Sequence, residues 1–98
     1  MTRYIVLLNF LEQGFGNVAD SPSRAEQFRS AAAELGAKVE WAYWTLGPYD
    51  GAFVLSAPDD ATAAALTLKL GRDGNVRTTM LRAFDADEFH EVLGKVTS

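Results

Sequence analysis

The stretch VEWAYWTLGPYDGAFVLSA, residues 39–57, decides the fold of this 98-residue chain. Gly47-Pro48-Tyr49-Asp50 separates two extended runs that are rich in β-branched and aromatic residues, and Pro48 presets the backbone of a turn. The second run, residues 52–57, is apolar at both odd and even positions, which is typical of a sheet covered on both faces. We therefore predict a β-hairpin with a four-residue connection, within a sheet that is apolar on both sides.

The first arm of this hairpin carries three bulky aromatic residues. Successive side chains of a strand point to opposite faces of the sheet. Strict alternation therefore groups Val39, Trp41, Tyr43 and Thr45 on one face, and Lys38, Glu40, Ala42, Trp44 and Leu46 on the other. Because interfaces favour such aromatics, we interpret Trp41, Tyr43 and Trp44 as core or subunit-interface residues rather than as a platform for a cofactor.

The sequence before the hairpin predicts one strand and one helix. The run Arg3–Phe10 is continuously apolar and β-branched, as in a buried strand, and Leu11–Asp20 reads as a connection. Ser21 is a good N-cap and Pro22 suits the first helical position. Apolar residues then recur at helical spacing until Gly36, which is the expected end of the helix.

The sequence after the hairpin predicts a helix, a strand and a terminal helix. A helix over Ala61–Leu70 follows Pro58-Asp59-Asp60 and ends at Gly71, and a strand over Val76–Phe84 comes next. Asp85 and Glu88 form a capping box for the last helix. The apolar face of that helix consists of Phe89, Val92, Leu93 and Val96.

The order of these elements is β-α-β-β-α-β with a terminal helix, which is the ferredoxin-like α+β arrangement, and residues 1–98 are expected to form a single domain. Right-handed crossovers place the third strand between the first and second, with the fourth on the other side of the first, and both helices on one face of the sheet. The opposite face is also apolar and implies a partner. We predict a homodimer, or a higher homo-oligomer, that closes two sheets face to face into a dimeric α/β barrel.

Composition limits the classes of function. The chain carries a net charge of −4 and no cysteine. An acidic balance argues against nucleic-acid binding, and Asp50 and Val6 stand where an RNA-recognition module would place a basic and a stacking residue. We expect no membrane partner, no metal and no cofactor, since no apolar run reaches ~20 residues and His90 lacks further ligands. A start without a signal peptide favours the cytoplasm.

Three segments are predicted to meet at one end of the sheet: the end of the first strand, the hairpin tip and the start of the last strand. A small-molecule pocket there would use Trp44, Tyr49, Asp50, Asn75 and Arg77. A purely structural interpretation is open for three of them, in which Asp50 caps the hairpin, Asn75 holds a left-handed turn and Arg77 pairs with Asp50. The residues identify no catalytic set, since no spacing forces two carboxylates together.

A set of short segments along the chain resembles the GYD-domain family of small prokaryotic proteins. The resemblance covers nearly the whole chain and is carried by Tyr4-Ile5-Val6-Leu7, Gln13-Gly14, Asp20-Ser21-Pro22, Arg24-Ala25-Glu26, Tyr43–Gly47, Tyr49-Asp50, Ala57–Asp60, Gly74–Thr78 and Leu81–Phe84. Pro48 stands between Gly47 and Tyr49, as the spaced form of the family's motif allows. The resemblance implies a dimeric α/β barrel and no particular reaction, and it adds Thr78 to Tyr49, Asp50, Asn75 and Arg77 as motif positions.

Three functional hypotheses follow from the sequence. The first is a homo-oligomer that binds a small molecule near the Gly47–Asp50 hairpin. The second is an enzyme of the cofactor-independent monooxygenase or isomerase type, which fold-level analogy suggests and which requires a deep cavity lined by a titratable group. The third is a structural or regulatory oligomer with no ligand.

Overall fold

A computed structural model describes all residues from Met1 to Ser98. Four strands, four helices and one 3₁₀ turn follow one another in the order β1 (Thr2–Phe10), α1 (Glu12–Gly16), the 3₁₀ turn (Val18–Asp20), α2 (Ser21–Glu34), β2 (Lys38–Trp44), β3 (Gly51–Ala57), α3 (Asp60–Arg72), β4 (Val76–Ala83) and α4 (Ala86–Thr97). The predicted strands and the three long helices are thereby confirmed, with boundaries that move by one or two residues.

The four strands form one antiparallel sheet in the order β2-β3-β1-β4. β1 lies in the centre and pairs with β3 through Ile5 and Val54, and with β4 through Ile5 and Leu81. Since α2 and α3 each connect two strands across this sheet, the ferredoxin-like arrangement predicted from the sequence is confirmed.

The core lies between one face of the sheet and the helices α2 and α3. Tyr4, Val6, Phe53 and Leu55 alternate along β1 and β3 and are buried there. Ala32, Ala63 and Leu66 complete the cluster from the helices, and the Phe28 ring of α2 contacts the Phe53 ring at a centroid distance of 5.1 Å. Every second side chain of β1 and β3 therefore points towards the face of the sheet that the helices cover.

The helix ends differ in detail from the prediction. α2 begins at Ser21, and Asp20 rather than Ser21 takes the N-cap position. At its other end Gly36 has φ +75°, its N–H donates to the Ala33 carbonyl, and the Ala37 N–H donates to the Ala32 carbonyl, which is a Schellman ending. α3 continues past Gly71 to Arg72, because Gly74 (φ +79°) rather than Gly71 adopts the left-handed conformation.

The prediction that the side chains of β2 alternate strictly between the two faces of the sheet is wrong, because the pairing of β2 with β3 shifts register between Val39 and Trp41. Val39 pairs with Leu55 on the helix side, whereas Trp41 pairs with Val54 on the opposite side. A β-bulge inserts one extra residue and so moves the following side chains to the other face. Glu40 accordingly accepts a hydrogen bond from the Ser56 hydroxyl at 3.1 Å.

The connection 11–20 contains the short helix α1 and a 3₁₀ turn, where the sequence predicts neither. The Leu11 N–H donates to the Asn75 carbonyl at 2.9 Å, and Gly14 lies buried against the same carbonyl. The Phe15 ring contacts the Phe10 ring edge-on at 5.4 Å. α1 thus docks onto the junction between the end of β1 and the start of β4.

The sheet face away from α2 and α3 is apolar; its residues Ile5, Leu7, Trp41, Tyr43, Ala52, Val54 and Leu81 are called the open face below. Trp41, Tyr43 and Leu81 are exposed over 40%, 65% and 45% of their surface. α4 packs extensively against no other element and buries none of its residues.

None of the helices is long and apolar enough to cross a membrane.

Candidate functional site

The three segments predicted to converge at one end of the sheet do meet there. Asn9, near the end of β1, pairs with Arg77 of β4 and donates from Nδ2 to the Pro48 carbonyl of the hairpin at 2.8 Å. The Asp50 N–H donates to the Leu8 carbonyl at 2.9 Å, and the Thr45 N–H donates to the Asp50 carbonyl at 3.0 Å. The connection between β2 and β3 covers residues 45–50 and is thus six residues long rather than the predicted four, and the last of these bonds joins its two ends.

Asp50 has a structural partner at this end of the sheet. Its carboxylate Oδ2 accepts from the Phe10 backbone N–H at 2.7 Å, so it terminates β1 rather than bonding to its own neighbouring backbone. No ion pair joins Asp50 to Arg77, since Asp50 takes part in none of the salt bridges within 4.0 Å. The carboxylate therefore stabilises the hairpin against β1.

The other predicted residues lie around this junction but do not form one cluster. Asn75 accepts from Gln13 Nε2 through its side-chain Oδ1 at 3.2 Å, and its φ is not positive, so it holds no left-handed turn. Tyr49 and Thr78 are half-buried, and the exposed Arg77 makes no hydrogen bond or salt bridge. Of the six candidates, Trp44 is the one that lines the cavity described next.

A cavity of about 90 Å³ lies at the base of the hairpin, between α2 and the helix-facing side of the sheet. Phe10, Phe28, Phe53 and Trp44 supply aromatic walls. The small residues Ala25, Ala42 and Gly51 also line this space. A cavity lined mainly by apolar and aromatic groups is typical of a small-molecule site, although its volume lies below that of most drug-sized pockets.

The sequence identifies Trp44 for this cavity but misses its other walls. Ala25 and Phe28 are recognisable as the apolar stripe of α2, and Ala42 as a small residue between two aromatic ones. What the sequence does not reveal is the pairing of the Phe28 ring of α2 with the Phe53 ring of β3 beside this space. That pairing arises only when the helix packs across the sheet.

Few of the residues that line the cavity carry polar side chains. Its charged or hydroxyl-bearing aliphatic lining residues are Ser21, Arg24 and Arg29, and the lining contains no carboxylate and no histidine. It therefore offers no side chain suited to act as a general base near neutral pH. No group of three or more histidine, aspartate and glutamate side chains lies close enough together to hold a metal ion.

The clearest displaced pKa lies at the opposite end of β1. Burial raises the pKa of the Tyr4 phenol above its ordinary value, and the hydrogen bond that it donates to Asp60 Oδ1 raises it further. The N-caps Asp59 and Asp85 have lowered pKa values, because their carboxylates accept hydrogen bonds from Thr62 and Glu88 respectively. None of the three lines the cavity.

Comparison with known proteins identifies relatives over most of the chain. The sequence profile described as the GYD domain matches residues 4–93. The chain is 33% identical over 84 residues to a Thermus thermophilus protein named glutamine synthetase and cystathionine beta-lyase binding protein, a match that spans 85% of this chain and 88% of that protein. The crystal structure of TTHA0845, also from Thermus thermophilus, is similar with a TM-score of 0.56 and 27% identity, over 88% of this chain and 96% of that one.

Proposed function

The chain belongs to the GYD domain family, and from that premise we propose that it is a homodimeric protein that binds a small, mainly apolar molecule at the base of its hairpin. The observation that carries the binding proposal is the aromatic-walled cavity between α2 and the sheet. It lies beside Trp44, where β2 runs into the Gly47–Asp50 hairpin, so the proposed ligand is next to the motif from which the sequence prediction began.

The dimer part of the proposal rests on surface that the single chain leaves exposed. On the open face, one row across all four strands consists of Trp41, Val54, Ile5 and Leu81; Trp41 and Leu81 are 40% and 45% exposed, whereas Val54 between them is buried. A large apolar patch of this kind marks an interaction site, and a second copy related by a two-fold axis supplies a complementary surface of the same composition. Closure of two open faces gives the dimeric α/β barrel.

Binding is favoured over acid–base catalysis for a specific reason. An isomerase that moves protons needs a group in the cavity that takes up a proton near neutral pH, and the cavity lining has neither carboxylate nor histidine. The groups that are present can hold and orient a ligand through hydrogen bonds and ring contacts. The proposal therefore assigns the cavity to ligand binding.

Filling the cavity tests the binding proposal. In Ala25→Leu the larger side chain enters the cavity from α2, and we expect it to abolish the binding of small neutral and anionic probes such as benzyl alcohol and benzoate. The measurement is the shift of cavity methyl and indole signals in nuclear magnetic resonance titrations. Ala33→Leu is the matched control, because Ala33 lies on the same helix and is exposed. Failure of every probe to bind the wild-type protein, or equal binding by both variants, would contradict the proposal.

A second candidate function is the binding of another protein. The relative from Thermus thermophilus is named for binding glutamine synthetase and cystathionine beta-lyase, and in this chain Phe89, Leu93 and Val96 of α4 are 49%, 44% and 72% exposed. This candidate predicts that the two enzymes from the same source co-purify with the wild-type protein and not with Leu93→Glu. Retention by neither protein, or by both equally, would count against a role for α4 in partner binding.

A further inference from the structure

A polar groove continues from the apolar cavity towards the outer ends of α2 and α3. It has a volume of about 230 Å³ and shares four lining residues with the cavity, namely Arg24, Phe28, Leu70 and Val76. Its other walls are mainly polar and include Gln27, Lys69, Arg72, Asp73 and Asn75. The two spaces are therefore neighbours, one apolar and one polar, and Arg24 lies where they meet.

The groove is electropositive in a chain that is acidic overall. Arg24, Lys69 and Arg72 line it, and none of them has a carboxylate within 4.0 Å, whereas Arg3, Arg29, Lys38 and Arg82 are all paired. Asp73 is the one acidic residue in the lining. Since the whole chain carries a net charge of −4, three cations without acidic partners around one groove are not explained by general surface charge.

Helix ends explain the position of two of these cations but not of the third. Lys69 and Arg72 lie in the last turn of α3, where a positive charge interacts favourably with the helix dipole. Arg24 lies close to the start of α2, where the dipole disfavours a cation. Its guanidinium is held in place by hydrogen bonds to the Asn17 carbonyl (3.0 Å) and to Ser21 Oγ (3.3 Å).

We propose that cavity and groove form one site for a small organic anion, with an apolar body of short-acyl or single-ring size in the cavity and one carboxylate against Arg24. This inference rests on the proposed function and specifies the class of ligand. The aromatic walls accept the apolar body, and the planar guanidinium binds a carboxylate through charge-assisted hydrogen bonds. Lys69 and Arg72 add a positive field that raises the local concentration of anions.

The test compares three probes of defined chemistry on the intact chain by titration calorimetry. Benzoate carries both a ring and a charge, benzyl alcohol carries the ring alone, and inorganic phosphate carries charge alone. We expect benzoate to bind about tenfold or more tightly than benzyl alcohol, as one charge-assisted hydrogen bond provides, and phosphate to bind most weakly. Arg24→Gln is expected to remove this preference, whereas Arg77→Gln, which alters an unpaired arginine outside the site, leaves it unchanged.

The outcomes separate this inference from the proposed function. Equal affinity for benzyl alcohol and benzoate, or a benzoate affinity that Arg24→Gln and Arg77→Gln change alike, overturns the inference and leaves the apolar cavity as a binding site. Binding of phosphate alone also overturns it, because the cavity then plays no part. Failure of all three probes, while circular dichroism shows each protein folded, contradicts both the inference and the proposed function.

Discussion

Tyr4 is a buried residue whose hydroxyl and ring contact polar or charged groups on several elements. It is 2% exposed near the start of β1, and its hydroxyl contacts both Thr2 Oγ1 and the Asp60 carboxylate at the start of α3. The Arg82 guanidinium lies 5.8 Å from the centre of its ring. A single phenol thereby joins β1, α3 and β4, and a buried hydroxyl without such partners would be costly.

The raised pKa of Tyr4 predicts a loss of stability at alkaline pH. The unfolded chain releases the phenol proton near pH 10, whereas folded Tyr4 still holds it, so above that pH the unfolded state binds fewer protons and stability falls as pH rises. Below pH 10 the contribution of the buried Tyr4 phenol to the stability of the folded chain is fully present. Chemical denaturation of Tyr4→Phe should show a free energy of unfolding lower by about 1 kcal/mol at neutral pH and a shallower decline above pH 10.

Tyr49→Phe provides the comparison for this experiment. Tyr49 is half-buried in the hairpin, and its phenol makes no hydrogen bond to another residue. We expect this variant to retain the alkaline decline of the wild-type protein. If Tyr4→Phe and Tyr49→Phe follow the same pH curve, the coupling between Tyr4 and Asp60 assigned here is wrong.

At the scale of elements, α1 depends on one close approach between backbones. A Cβ atom added to Gly14 would lie 1.9 Å from the Asn75 carbonyl oxygen, whereas one added to Gly16 would meet nothing within 4 Å. Gly14→Ala must therefore displace α1 from the start of β4, and we expect it to lower the free energy of unfolding by about 1–3 kcal/mol. Thermal or urea denaturation measures the change.

Gly16→Ala is the matched control within the same helix. We expect this substitution to leave the free energy of unfolding unchanged or to raise it by up to ~1 kcal/mol, because it restricts the unfolded chain without causing a clash in the folded one. Equal stabilities for the two variants would show that α1 does not dock tightly at Asn75.

The elements that the sequence predicts correctly are those whose local signals agree with one another. β1 and β3 are continuous β-branched runs, and the Asp85–Glu88 capping box of α4 is present in both directions. α1 is missed because Gly14 and Gly16 are poor helix formers, and tertiary contacts with Phe10 and Asn75 hold it instead. Nothing in the residues around Glu40 signals the bulge, which is defined by pairing with β3.

The same distinction applies to the candidate site. Convergence of Asn9, Asp50 and Asn75 at one end of the sheet follows from topology alone, and the contacts there agree with it. The cavity does not follow from topology, because it depends on how the side chains of α2 pack over the sheet, as Phe28 does against Phe53. Sequence patterns therefore predict which segments converge at this end of the sheet, whereas side-chain packing decides which face holds the cavity.

At the scale of the whole molecule, the single chain is more extended than its length requires. Its radius of gyration is 14.8 Å, compared with about 13 Å for a compact chain of this size. α4 packs extensively against no other element and is held through the ion pairs of Glu88 with Arg3 and Arg82. Under the proposed function, the open face is the surface that a second copy would cover.

Substitution within the open face should separate the two copies. Trp41→Glu places a charge on the edge strand β2 within the proposed interface, where burial of an unpaired carboxylate is strongly unfavourable. We expect this variant to be monomeric and to keep the secondary structure of a single chain. Leu68→Glu changes another exposed apolar residue, 74% exposed on α3 and outside the open face, and should leave the dimer intact.

The mass of the wild-type protein in solution, measured by light scattering coupled to size-exclusion chromatography at micromolar concentration, tests the central claim most directly. A mass of twice 10.7 kDa, reduced to 10.7 kDa by Trp41→Glu and unchanged by Leu68→Glu, is the predicted result. A wild-type mass of 10.7 kDa at that concentration would contradict the account, since the open face would then be in contact with water.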